Sequence, residues 1–161
     1  MTQSEYNQCV DEWSDALYRF ALKSLKDMDQ AQDIVQDSFE KLWKKHEQID
    51  NTKVKSYLFT IAYHAMVDYW RKQKAGVDIE TVTNEVRYEQ NYYSGLKPIL
   101  DKALDRLSEI QRTVLLLRDY EGYSYEEIGE ICNLNDSQVK VYIFRARLSV
   151  KNFIGNFNLV V

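Results

Sequence analysis

The 161-residue chain is poor in the residues that turn a chain sharply: five glycines and a single proline, Pro98. An all-β fold joins many short strands through tight turns and draws on both residues more heavily. The chain has two cysteines, Cys9 and Cys132, far apart in sequence. Neither has a second Cys or His at ligand spacing, so no zinc site is expected, and isolated thiols suit a reducing cytosol. Long hydrophobic runs are also missing. The longest purely apolar stretch is Val114-Leu115-Leu116-Leu117, far short of a membrane span. The opening MTQSEYNQCVDEW has neither a basic segment nor an apolar one and is not expected to be a signal peptide. No glycine-rich phosphate loop, metal cluster or nucleophile paired with a base stands out, so neither cofactor nor catalysis is expected.

Apolar residues make up 45% of the chain, which is enough for a packed core. Their spacing is helical. Tyr6, Val10, Trp13, Leu17 and Phe20 form one stripe of a first helix, from Thr2 or Ser4 to about Lys26. Asp29, with Gln32 three residues on, reads as the cap of a second helix carrying Ala31, Ile34, Val35, Phe39, Leu42 and Trp43. This helix fades between His46 and Asp50. A third helix, from about Val54 to Lys74, carries Tyr57, Leu58, Ile61, Ala62, Ala65, Met66 and Tyr69. Residues 77–97 are polar and lack a sustained period, as a linker does. Pro98 then opens a second helical set. Ser108 with Gln111, and Ser124 with Glu127, mark two further helix starts, and Gly122 suits the exit between them. The expected fold is therefore all-α: two small helical modules, 1–76 and 98–161, joined by a linker.

The net charge of −4 argues against nucleic-acid binding when taken alone, but the charge is segregated. Residues 1–50 carry a net −5, residues 51–76 a net +4, residues 77–132 a net −6 and residues 133–161 a net +3. Two basic segments in an acidic body can meet phosphates while the acidic surfaces meet something else.

The segment Ser124–Arg147 has the layout of a helix-turn-helix: a short helix, a tight turn at Asn133-Leu134-Asn135-Asp136, and a longer basic helix. Asn133 stands where a left-handed backbone is needed, and asparagine tolerates it. Asn135 is placed to cap the last helix, with Gln138 completing the box. In that helix Val139, Ile143, Ala146 and Val150 should face the core. Ser137, Gln138, Lys140 and Val141 would reach base edges in the major groove, while Arg145, Arg147 and Lys151 would meet phosphates or pack locally. The bland alternative is a helical hairpin with a solvated basic face.

Several stretches carry a family likeness. They are Ala103-Leu104-Asp105-Arg106-Leu107, Gln111-Arg112-Thr113-Val114-Leu115-Leu116-Leu117, Gly122-Tyr123-Ser124-Tyr125-Glu126-Glu127-Ile128-Gly129, then Val139-Lys140 and Arg145-Ala146-Arg147. Together they resemble region 4 of a bacterial sigma factor of the extracytoplasmic-function group, whose members keep only regions 2 and 4. The first module agrees: DQAQDIVQDSFEKLWKK (Asp29–Lys45) resembles the region 2 segment that grips core RNA polymerase. KSYLFTIAYHAMVDYWRKQK (Lys55–Lys74) resembles the segment that melts and reads the −10 element. The likeness spans about residues 6–75 and 98–153.

The resemblance implies that Asp33, Gln36, Asp37 and Glu40 dock on the polymerase clamp, with Ile34 and Trp43 at the edge of that contact. Alone, this face reads first as a solvated surface with a buried Trp43. The third helix mixes cations with flat rings, which an unpaired strand requires: Lys53, Lys55, Tyr63, His64, Trp70, Arg71, Lys72 and Lys74. The implied function is promoter-specific initiation with core RNA polymerase and promoter DNA as partners, and an anti-sigma factor as a further one. The chain is expected to be cytoplasmic, without membrane contact of its own, and not an enzyme.

Some positions depart from the family pattern. Tyr63-His64 stands where Arg-Asn is common, Asn133 where glycine is usual, Tyr142 where a polar residue is frequent, and Gly129 where alanine is common. A conventional dimeric helix-turn-helix regulator is the main alternative; the polymerase-grip stretch speaks against it. An adaptor built on the acidic helices is disfavoured by the basic final helix, and a small hydrolase has no motif.

Overall fold

In a computed structural model, residues 1–76 and 96–158 are described as regular structure, turns and caps, and side chains are described for 1–76 and 97–156. The linker expected at 77–97 and the last residues of the second module lie largely outside them. The chain divides into two compact units, Met1–Val86 and Arg87–Val161. Every regular element among the described residues is helical.

The first unit holds α1 (Gln3–Leu25), α2 (Met28–Lys44), a 3-10 turn (Asn51–Lys53) and α3 (Val54–Lys74). Helix α1 starts as expected. Thr2 and Glu5 form a reciprocal capping box, each side chain accepting from the other's backbone N–H. Helix α2 starts earlier than expected. Asp27, not Asp29, is the cap, and its carboxylate accepts from the Gln30 N–H. The physical reason is the left-handed Lys26 (φ 56°), which closes α1 and leaves Asp27 extended, the conformation a cap needs. Asp29 instead lies in the first turn, where its charge complements the helix dipole. Asp50 opens the 3-10 turn by accepting from Thr52 N–H. These bonds hold the Asp50 carboxyl below the usual carboxylate range.

The three helices pack through Leu17, Phe20 and Ala21 of α1, Ala31, Ile34, Phe39 and Leu42 of α2, and Leu58, Phe59, Ala62, Met66 and Trp70 of α3. Phe20 and Phe59 meet ring to ring at 5.3 Å. The Tyr6 hydroxyl donates to the Phe39 carbonyl at 3.0 Å, tying the start of α1 to α2.

The second unit holds α4 (Leu96–Asp105), α5 (Glu109–Leu115), a π-helical turn (Leu116–Tyr120), α6 (Tyr125–Cys132) and α7 (Asp136–Asn158). Its core is mainly aliphatic, with Leu104, Leu107, Val114, Leu116, Leu117, Ile128, Ile131, Val139, Ile143 and Ala146 buried together with the Tyr123 ring. The helix that starts at Ser108 passes into the π turn, at whose end Tyr120 is exposed. Gly122 (φ 74°) then takes the left-handed backbone that the sharp exit requires.

A candidate promoter and polymerase interface

The helix-turn-helix is built from α6 and α7. Ser124 and Glu127 make a reciprocal box at the start of α6. Asn133 ends it in the left-handed region (φ 55°, ψ 52°), the role expected of it. Asn135 and Gln138 close a second box. The Asn135 N–H donates to Gln138 Oε1 at 3.0 Å, and the Gln138 N–H donates to Asn135 Oδ1 at 2.8 Å.

Gly129, at a position where alanine is common in the family, is held closely by the turn that follows. A Cβ at this position would stand 2.7 Å from the Leu134 carbonyl oxygen, so alanine does not fit unless the turn moves. The Leu134 N–H donates to the Gly129 carbonyl at 2.9 Å, locking the same approach.

Val139, Ile143 and Ala146 are buried as expected, and Val150 is half-buried. Opposite them, Ser137, Val141, Phe144 and Leu148 follow three- and four-residue spacing along the outward line of α7. All four are exposed, Phe144 to 67%. The sequence assigns Val141 to base edges and puts Phe144 on a non-core face without a role; the spacing of Phe144 and Leu148 from Val141 is the signal that groups them. Lys140 pairs with Asp136 at 2.9 Å one turn earlier, which holds its ammonium above the ordinary lysine range. Arg145 is exposed. Arg147 behaves differently: its Nε–H and Nη2–H donate to the two carboxylate oxygens of Asp119, at 3.1 and 2.6 Å. Of the two fates expected for it, phosphate contact and local packing, the geometry corresponds to the second.

In the first unit, Asp33, Gln36, Asp37 and Glu40 are all exposed along one face of α2. Glu40 pairs with Lys44 at 3.1 Å on the solvent side. Trp43 is 40% exposed, which removes the reading of a buried indole. It is held from both sides: the His46 ring stacks on it at 4.2 Å, and the Tyr6 ring meets it edge-on at 5.0 Å. Ile34 is a correction. It was placed at the edge of a partner contact, but it is only 5% exposed because it continues the buried row of Ala31, Ser38 and Leu42.

Helix α3 brings a second correction. Trp70 was assigned to DNA as a flat face for bases, yet it is 7% exposed. It extends the buried row Phe59, Ala62, Met66 by one more turn, and a tryptophan on that row gains more from burial than from solvent. Lys53, His64, Arg71, Lys72 and Lys74 are exposed. Tyr63 is half-buried beside His64, their rings 6.2 Å apart. Lys55 is half-buried with its ammonium 5.1 Å from the Trp13 ring centre. Arg71 lies 3.6 Å from Asp68. A polar groove of about 510 Å³ joins the two helices and brings Asp33 and Asp37 to the same cleft as His64 and Lys72.

Two family models match in chain order: sigma-70 region 2 over residues 9–76 and sigma-70 region 4 over residues 98–150. A sigma factor of Bacillus subtilis, SigV, is 33% identical over 141 residues, covering 86% of this chain and 84% of its own. The chain is an extracytoplasmic-function sigma factor of the sigma-70 family. A second Bacillus subtilis relative, the extracytoplasmic-function sigma factor SigM, is 29% identical over 140 residues, with 84% and 86% covered. Among solved structures, RpoE of Bartonella quintana, crystallised with the anti-sigma factor NepR, superposes with a TM-score of 0.80. It is 30% identical, over 93% of this chain and 96% of that one. CnrH, solved with the cytosolic domain of CnrY, shares the fold at a TM-score of 0.73 and 23% identity, over 96% and 90% of the two chains. As a sigma factor, the protein binds core RNA polymerase and directs promoter-specific transcription initiation; the dimeric-regulator alternative is not favoured. Among the described residues, no helix of this sigma factor is long and apolar enough to cross a membrane.

Proposed function

We propose a division of labour within this sigma factor. Residues 1–76 hold the polymerase and the −10 region, residues 98–161 read the −35 region, and 77–97 link them. The polymerase-docking face is Asp33, Gln36, Asp37 and Glu40 with the Trp43 indole at its rim. The observation that carries it is Trp43: an exposed, prepositioned aromatic beside four exposed polar side chains on one helix face. A rigid indole of this kind anchors interfaces at small entropic cost. Ile34 supports the face from beneath.

The −10 strand would meet Lys53, Lys55, Tyr63, His64, Arg71, Lys72 and Lys74. Cations are positioned for phosphates there, and Tyr63 and His64 for exposed bases. With Trp70 inside the core, ring stacking on α3 rests on Tyr63 and His64. The −35 duplex would meet Ser137, Gln138, Lys140 and Val141 at base edges and Arg145 at phosphates. Val141 and Phe144 add apolar surface suited to thymine methyl groups. Arg147 is left out of this set because Asp119 holds it.

The chain itself would perform no catalysis; bond formation belongs to the polymerase. It would act in the cytoplasm, and an anti-sigma factor would regulate it by covering one or both of these faces. RpoE of Bartonella quintana, solved with the anti-sigma factor NepR, supports that part.

Co-migration of the chain with core RNA polymerase, with promoter-dependent run-off transcription, tests the whole reading. Asp37→Arg should weaken polymerase binding while sparing duplex binding by α7. Lys140→Ala should do the reverse, and loss of polymerase binding in that variant would contradict the assigned roles.

A further inference from the structure

Arg145 and Arg147 stand two residues apart on α7, and their side chains have different surroundings. Arg145 is exposed, with no ion pair among the described residues. Arg147 is gripped by both oxygens of Asp119, at 3.1 and 2.6 Å. The two residues are 28 positions apart, so the pair joins separate elements, the π turn and α7. Their side chains are 47% and 37% exposed, which leaves the fork half in solvent, where a phosphate could compete for it.

The turn that carries Asp119 is itself anchored. Arg118 Nη1–H donates to the Tyr123 carbonyl at 2.8 Å, and the Arg118 guanidinium lies 4.8 Å from the Tyr125 ring centre. Asp119 is therefore presented to Arg147 by fixed backbone. A planar guanidinium matched to a carboxylate by two parallel bonds is among the stronger polar pairs. The exposed Lys140–Asp136 pair, by contrast, is a single contact within one helix, and such pairs are weak. A phosphate could take Lys140 from its partner at little cost. Taking Arg147 would mean breaking a preorganised fork.

We propose that Asp119 limits the sequence-independent affinity of the DNA-reading module: it keeps Arg147 out of the set of cations that bind phosphate. This rests on α7 being the helix that meets duplex DNA. Cations on phosphates add affinity regardless of sequence, whereas base contacts add affinity only at the correct site. Holding back one cation lowers the affinity for any duplex by the same factor, so stable occupancy depends more on the base contacts that only the correct site supplies. The same fork fixes the flank of α7 against the turn.

The test measures binding of the full-length chain to a short duplex of random sequence as salt is varied. Each phosphate contact contributes about 0.9 to the slope of log K against log salt. Asp119→Asn should bind random duplex several-fold more tightly and steepen the slope by about that amount. Arg147→Ala alone should leave the slope unchanged, and Asp119→Asn with Arg147→Ala should return it to the parent value. Arg145→Ala should flatten it by about 0.9.

A folded Asp119→Asn protein with the parent slope, or no detectable binding by it, overturns the proposal. So does a flattened slope in Arg147→Ala, because Arg147 would then already bind phosphate. If Asp119→Asn is too unstable to measure, Arg147→Ala decides on the same terms. The two levels separate through Arg145. If Arg145→Ala flattens the slope while Asp119→Asn leaves it alone, only the role of Asp119 fails. If Arg145→Ala also has no effect, the reading of α7 fails with it.

Discussion

Helices α3 and α7 carry the same kind of sequence, cations interleaved with aromatic and aliphatic residues, and they dispose of it in opposite ways. Helix α3 turns its tryptophan inward and shows solvent its cations. Helix α7 turns Phe144 outward and spends one of its cations, Arg147, on an internal fork. The difference teaches that composition does not decide what a helix offers a partner. The phase of the apolar row relative to the core decides it. Trp70 falls on the row of Phe59, Ala62 and Met66, whereas Phe144 lies opposite the row of Val139, Ile143 and Ala146.

The largest effect that would break this comparison is on stability. Trp70→Ala empties a packed site and should destabilise the protein by about 3–5 kcal/mol, whereas Phe144→Ala should cost under about 0.5 kcal/mol. Denaturant unfolding monitored by circular dichroism measures both, and equal costs would show that one of the two aromatics is misplaced. Next, Gly129→Ala should cost about 1–3 kcal/mol by forcing the Leu134 carbonyl away. The same unfolding curves read it; a neutral substitution would mean that the turn is soft.

A smaller effect concerns the outward apolar line of α7. Replacing thymine by deoxyuridine in an upstream promoter duplex removes the methyl groups that Val141 and Phe144 would touch. Binding should weaken by about 1 kcal/mol or less for each methyl lost, and Phe144→Ala should reduce that sensitivity. A thymine-independent affinity would remove the apolar contribution.

The smallest effect is chemical. Burial pushes the Cys132 thiol up to about 12 from 9.0 and raises Cys9 by less. A thiol whose folded value lies above its unfolded one favours folding below pH 9 and withdraws that support as pH rises towards 12. Iodoacetamide at neutral pH should therefore label Cys9 slowly and Cys132 more slowly still. Faster labelling of Cys132 would show that α6 opens.

Much of this was legible in the sequence because it rests on local signals. Ser108 and Ser124 cap helices wherever the chain lets them, and the three- and four-residue rows mark each core face. What stayed hidden depends on backbone conformation and on neighbours brought in from other elements. Asp27 became a cap only because Lys26 turned left-handed. Ile34 and Trp70 sit where a row's phase and a neighbouring helix place them, so a residue-type argument for surface contacts misassigned both. Gly129 needed the Leu134 carbonyl to be known. Arg147 needed Asp119, 28 residues away, and no spacing rule reaches that far.

The central claim is the division between a polymerase-docking α2 and a DNA-reading α7. One measurement tests it most directly: run-off transcription and co-migration with core RNA polymerase, comparing Asp37→Arg with Lys140→Ala. The account predicts that Asp37→Arg loses co-migration and transcript together, while Lys140→Ala keeps co-migration and loses transcript from promoters that depend on the upstream element. Full transcription by Asp37→Arg, or loss of co-migration in Lys140→Ala, would contradict it.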